Sequence, residues 1–153
     1  MGHAETWYKY AYIGGDLPHT CLTFNDMNTW STKYNLVWQR VLGMGNVPFA
    51  NYDQMCEDEV NFYLSIFDNY GVPLDGRHDW IKLDWLSWVS VLTKDVEKGN
   101  KFLNAIYRMA NETPDRCPLT DWFISGDGKA HSCSSFVARP VNGGLFLRAM
   151  VDL

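Results

Sequence analysis

The sequence predicts an all-α fold in which helices pair as hairpins into an inner and an outer layer, the arrangement of an α/α toroid. Three observations predict it. Apolar residues recur at helical spacing in successive segments of the 153-residue chain. Those segments alternate between one that is apolar nearly all round and one that is apolar on a single side. The links alternate as well, short from inner to outer helix and long on the way back.

The first helix, an outer one, carries its stripe at Ala4, Trp7, Tyr8, Ala11 and Tyr12, with no cap expected before Ala4. A link of about 19 residues follows Gly14. Tyr34, Val37, Trp38, Val41 and Leu42 then fall at i, i+3, i+4, i+7 and i+8 and predict an inner helix, stopped by Gly43 or Gly45. About eight residues after Met44, a third helix starts at Asn51, where Asn51 and Gln54 have capping-box spacing. Its seam is Cys56, Val60, Tyr63, Phe67 and Tyr70, with acidic residues opposite and Gly71 as the left-handed stop.

A link of about 13 residues leads to Asp84. From Trp85 to Leu92 there is no charge, so Trp85, Trp88, Val89 and Leu92 mark a helix buried on both sides. About two residues after Thr93, the next helix is one-sided. Phe102, Leu103, Ile106 and Ala110 face in, while Lys98, Lys101 and Arg108 face out. The link after Asn111 is about 32 residues, long enough to be functional by length alone. Within it Asp121–Ile124 and Ser134–Ala138 are expected to pair as a small β-hairpin around Gly126-Asp127-Gly128. A last helix opens at Gly144 with Phe146, Ala149, Met150 and Leu153 on one face. These elements make a partial ring of about three hairpins. Inner helices in such an arc lack neighbours on two sides, so the expectation is a larger parent protein and, for these residues alone, marginal stability or self-association.

Composition excludes several classes. Seven Trp, eight Tyr and eight Phe, with 46% hydrophobic residues, exclude a disordered chain. No apolar run reaches the ~18 residues of a membrane span. Lys plus Arg is 13 against 18 Asp plus Glu, a net charge of -5, so no basic patch points to nucleic acid. Met1-Gly2 with Thr6 fits a myristoylation pattern, yet the first stripe claims those residues for packing. No basic-then-apolar leader pattern is visible. Cys21, Cys56, Cys117 and Cys133 include no C-x-x-C pair and leave room for one or two bridges in a secreted protein, without fixing the pairing. Asn111-Glu112-Thr113 is a glycosylation sequon in that same setting.

Five ordered motifs add a family. Asn28 to Trp38 (NTWSTKYNLVW), Tyr70 to Asp75 with Arg77, Lys82-Leu83-Asp84-Trp85, Asn111 to Arg116 with Thr120-Asp121-Trp122, and Ala138 to Gly144 (ARPVNGG) resemble segments of the fungal and bacterial glutaminase A family. The resemblance covers nearly the whole chain. Gln39 stands where the family often has Asp, and Gly76 where it has Ser. The resemblance implies a six-hairpin toroid preceded by a β-sandwich-like region, in secreted proteins that hydrolyse the side-chain amide of glutamine. Residues 1–153 then correspond to the C-terminal part of a single (α/α)6 toroid domain. The implied partners are a small-molecule substrate and the remainder of the parent chain, with no cofactor.

Antiparallel alternation gathers the long links, and the N-terminal ends of the inner helices, on one face. That face collects Trp30, Lys33, Tyr34 and Asn35; Asp75, Arg77, Lys82, Asp84 and Trp85; and Asp121, Trp122, Arg139 and Asn142. Lys33, Arg77, Lys82 and Arg139 are candidates to hold a substrate carboxylate. Asp84 and Asp121 are candidates for the acid or base that drives water onto an amide, and Asp75 for an amino group. Each has a plainer alternative: Asp84 as a helix cap, Asp121 as the partner of an arginine, and Trp30, Trp85 and Trp122 as packing. His19-x-Cys21 and His131-x-Cys133 lack zinc spacing, so no metal is expected. No G-x-S-x-G elbow supplies a nucleophile. Two alternatives to the amidohydrolase remain, a carbohydrate-active six-hairpin enzyme and a catalytically incomplete scaffold. An open arc leaves its charges solvated, so residues 1–153 alone are expected to lack glutaminase activity.

Overall fold

The computed structural model describes residues 2–44 and 51–151. Helices carry the fold, and two small two-stranded sheets are added to them. Helix α1 (His3–Ala11) runs into β1 (Tyr12–Ile13), which pairs antiparallel with β2 (His19–Thr20). A 3-10 turn (Tyr34–Val37) continues into the short α2 (Trp38–Val41). Then follow α3 (Tyr52–Ser65), β3 (Trp80–Lys82), α4 (Leu83–Val89) and α5 (Val96–Glu112). Strand β4 (Trp122–Ile124) and a 3-10 segment (Pro140–Met150) come last.

Helix α4 sits at the centre. It packs against α5, the 3-10 turn at 34–37 and the Pro140–Met150 segment. Leu83, Leu86, Val89 and Leu92 join Val37, Val60, Tyr63 and Phe102 in one buried cluster, with Ile81 and Phe123 beneath the β3–β4 ribbon. Each such aliphatic side chain contributes about 1.5–3 kcal/mol relative to exposure, which is what holds a seven-residue helix in place. Helix α5 is one-sided as its pattern predicts. Phe102, Ala105 and Met109 are buried, Lys101 and Arg108 are exposed, and the Asp95 carboxylate caps the start by accepting from the N–H groups of Glu97 and Lys98.

Several elements depart from expectation. Helix α1 does have a start: Gly2 precedes it, and the Glu5 carboxylate accepts the Gly2 N–H at 3.1 Å. Residues 34–42 wind first as a 3-10 turn, whose Leu36 O also accepts the Tyr52 hydroxyl at 2.6 Å; Gly43, at φ +56, ends the element. Asn51 and Gln54 form no capping box. Asn51 donates to the Tyr8 hydroxyl and Gln54 to Asp58. Helix α3 stops at Ser65, whose hydroxyl turns back onto Phe62 O, so Phe67 and Tyr70 lie beyond it. Gly71 is therefore no helix stop. It sits in a tight turn with Asp68, where a Cβ would lie 2.7 Å from Leu86 Cδ2. Ala110 is exposed rather than inward.

The long link folds differently too. β4 pairs with β3, in register Trp80↔Ile124, Ile81↔Phe123 and Lys82↔Trp122. The turn at 125–128 is present, but the chain returns beside β4 at 129–131. Residues 136–138 bond to 119–121 instead of forming the second arm of a hairpin with 121–124. In the final segment, 3-10 winding directs Gly144 and Leu147 inward and leaves Phe146 and Met150 71% exposed. Met1, Gly45, the link through 45–50 and Leu153 lie outside the described residues. Among those described, no helix is long and apolar enough to cross a membrane.

Candidate functional site

Strand β3 ends at Lys82 and α4 begins at the next residue, so one junction delivers both Lys82 and Asp84. Antiparallel pairing brings Asp121 alongside, fixed where Leu83 N donates to Asp121 O at 2.9 Å. The Asp121 side chain is fully buried and both its oxygens are taken. Arg139 donates Nε to Oδ1 at 2.9 Å and NH2 to Oδ2 at 2.5 Å, and Lys82 Nζ also bonds Oδ2. Of the two readings of Asp121, the one that pairs it with an arginine describes this geometry.

Asp84 differs. It is not a cap: Lys82 holds the cap position, and Asp84 is the second residue of the helix. Its Oδ1 is buried without a hydrogen-bond partner, with Lys82 Nζ 3.8 Å away. Gly144 closes over it, where a Cβ would come within 2.9 Å of Asp84 Cβ. Burial pushes the Asp84 carboxyl above its ordinary range, and Lys82 and the first-turn N–H groups only partly offset this. Burial also lowers the Lys82 ammonium, with Asp84 opposing. The Tyr34 ring stacks on Trp85 at 3.8 Å, and burial together with the Asp84 charge raises its hydroxyl.

An aromatic wall adjoins the charges. Trp122 stacks on His131 at 3.8 Å and meets Phe136 and Trp80 edge-on at 4.5 and 5.0 Å. Trp122 Nε1 and Asn142 Oδ1 are buried without partners, though Asn142 Nδ2 donates to Leu119 O. The structure thus brings together Tyr34, Lys82, Asp84, Trp85, Asp121, Trp122 and Arg139.

Other sequence candidates lie apart. Lys33 spends its three N–H donors on Ser31 O, Ser31 Oγ and Thr20 O, which leaves none for a substrate carboxylate. Asn35 is exposed and lines, with Lys33, Trp7 and Phe24, a separate cleft of about 310 Å3. Trp30 packs edge-on against Phe62 and over Gly76. Asp75 is buried and its carboxylate is paired with Arg77 through Nε and NH2 at 3.0 and 2.6 Å, while the Arg77 side chain is 66% exposed.

Sequence reasoning missed Glu59. The seam read from the sequence omits it, yet it lies between Cys56 and Tyr63 on the buried side. Thr20 and Tyr63 donate to its two oxygens at 2.5 and 2.6 Å, and burial raises its pKa. Position i+3 from Cys56 and i−4 from Tyr63 was the available signal. Phe136 also escaped notice. Cys117 and Cys133 form a disulfide, so His131-x-Cys133 offers no thiolate to a metal. Cys21 and Cys56 are buried free thiols, the latter pushed up to about 12 by burial. Among the described residues, no group of three or more His, Cys, Asp or Glu side chains is placed to hold a metal ion.

Residues 2–149 match the model of a protein family described as the glutaminase A six helical-hairpin domain. The chain is 35% identical over 129 residues to glutaminase A of Aspergillus oryzae, covering 84% of this chain. It is 25% identical over 155 residues to a probable glutaminase of Arthroderma benhamiae, covering 86%. In both cases it spans 18% of the relative's length. No solved structure matches.

Proposed function

The chain belongs to the family of the glutaminase A six helical-hairpin domain, and on that premise we propose that the Lys82–Asp84–Asp121–Arg139 face hydrolyses L-glutamine to L-glutamate and ammonia. We read residues 1–153 as the C-terminal sector of an α/α toroid that the rest of a parent chain completes. The observation that carries the chemical reading is the asymmetry of the two carboxylates. Asp121 is spent on two cations, while Asp84 keeps a buried oxygen with no hydrogen bond.

Asp84 is the proton carrier in this reading. Its raised pKa brings the carboxylate nearer the pH at which a base takes a proton from water and an acid returns it. Water adds through oxygen to the amide carbon as Asp84 accepts its proton. The C–N bond then breaks, the same proton passes to the departing nitrogen, and ammonia leaves. Arg139, whose NH1 has no hydrogen-bond partner among the described residues, offers N–H donors to the α-carboxylate. Asp121 is a positioning residue that holds Lys82 and Arg139. The glycosidase alternative calls for two carboxylates free to act, and Asp121 is not free. We further propose an extracellular setting, supported by the disulfide at half-exposed Cys117 and exposed Cys133.

Ammonia release by the intact protein from glutamine, compared with sugar release from a panel of glycosides, tests the reading. Release from glutamine alone is expected, and sugar release without ammonia contradicts it.

A further inference from the structure

Phe136 and Ala138 are the non-glycine residues with left-handed backbone among those described, at φ 58 and 49. A bulky aromatic rarely adopts that conformation, because its Cβ crowds the backbone, and such strain persists only where surrounding contacts impose it. Here they do. Phe136 O accepts the Asp121 N–H at 3.0 Å and the Thr120 hydroxyl at 3.1 Å, and Ala138 N donates to Leu119 O at 2.9 Å. The result of this pinned arc is the placement of the next residue, Arg139. Its guanidinium carbon lies 4.4 Å from the Phe136 ring centroid while its Nε and NH2 grip Asp121.

We propose that Phe136 is a positioning residue for substrate recognition: its ring and its strained backbone together hold the Arg139 guanidinium where a substrate carboxylate meets it. This rests on the glutamine reading above. A guanidinium lying over an aromatic face is attracted by the ring quadrupole and loses its freedom to swing, while its edges stay available for hydrogen bonds. Asp121 takes one edge. The NH1 donors remain for an anionic group, and the Arg139 side chain is 38% exposed, enough for a ligand to reach it. The same ring is 4.5 Å from Trp122 and 6.0 Å from Lys82 Nζ, so both cations of the site lie within reach of it.

Two measurements on the intact protein test this with Phe136→Leu and Phe136→Tyr. One is glutamine kinetics. The other is the rate at which phenylglyoxal modifies Arg139, read by peptide mass spectrometry, which needs no activity. Phe136→Leu is expected to raise KM about tenfold with kcat within about twofold, and to speed Arg139 modification severalfold; Phe136→Tyr restores both. An unchanged modification rate in Phe136→Leu overturns the proposal. So does a loss of kcat and thermal stability that Phe136→Tyr fails to rescue, which marks a merely structural ring. If wild type releases no ammonia yet Phe136→Leu speeds the modification, the glutamine reading fails and the hold of Phe136 on Arg139 stands.

Discussion

Arg139 meets Asp121 as a fork on a fork, Nε to Oδ1 at 2.9 Å and NH2 to Oδ2 at 2.5 Å, and so reaches back from beyond Cys133 into the loop that the Cys117–Cys133 disulfide closes. Asp121 has no exposed surface, so its charge is compensated entirely by Arg139 and Lys82. Removing one partner of a buried pair strands the other charges, at a cost of about 3–5 kcal/mol. Asp121→Asn is therefore expected to lower the unfolding free energy by about that much in urea titration. A loss below about 1 kcal/mol would mean that Lys82 and Arg139 find water instead.

Much of the helical plan was legible because burial and periodicity coincide. In α5, Phe102 of the expected stripe is buried and Leu103 and Ile106 are half-buried, although the cap at Asp95 and the buried Ala105 and Met109 went unnamed. The short elements were not legible. Residues 34–37 wind as 3-10 where their carbonyl at Leu36 meets a hydroxyl from Tyr52, a tertiary contact with another helix that the local pattern does not carry. The partner of β4 was misread because strand pairing is set by tertiary packing: β3, only three residues long, carries no pattern that separates it from a loop. For the site, charges near one another in sequence, Lys82 and Asp84, were found. That Asp121 pairs with an arginine was among the readings; which arginine was not, since Arg139 reaches Asp121 only through the arc at Phe136–Ala138.

Glu59 offers a pH test. Burial raises its carboxyl above the ordinary 4.5, opposed by Lys33 and by the hydroxyls of Thr20 and Tyr63. A raised folded pKa means the native state binds the proton more tightly than the unfolded chain. Its contribution to stability is then fullest below 4.5 and is lost as pH rises through the raised value. Glu59→Gln, which keeps an acceptor for Thr20, removes that loss. Its melting temperature relative to wild type should climb as pH rises above 4.5. A constant gap would show that Glu59 titrates alike in both states.

The disulfide should matter to the loop that carries Asp121. Cys117 and Cys133 are separated by 16 residues, and closing a loop of that size stabilises by about 3 kcal/mol through the unfolded chain. Replacing both with Ala, or adding dithiothreitol, is expected to lower the melting temperature in a calorimetric scan. Unchanged melting would mean that the β3–β4 pairing alone holds the loop.

Asp84→Asn tests the central claim most directly. Asparagine keeps the size under Gly144 and removes the proton carrier while sparing the Asp121 ion pairs. The measurement is ammonia release from glutamine by the intact protein, with the melting temperature followed in parallel. Loss of turnover by about 10²–10⁴-fold, with melting little changed, is the predicted result. Turnover within about twofold of wild type would contradict it and leave Asp84 a buried packing residue.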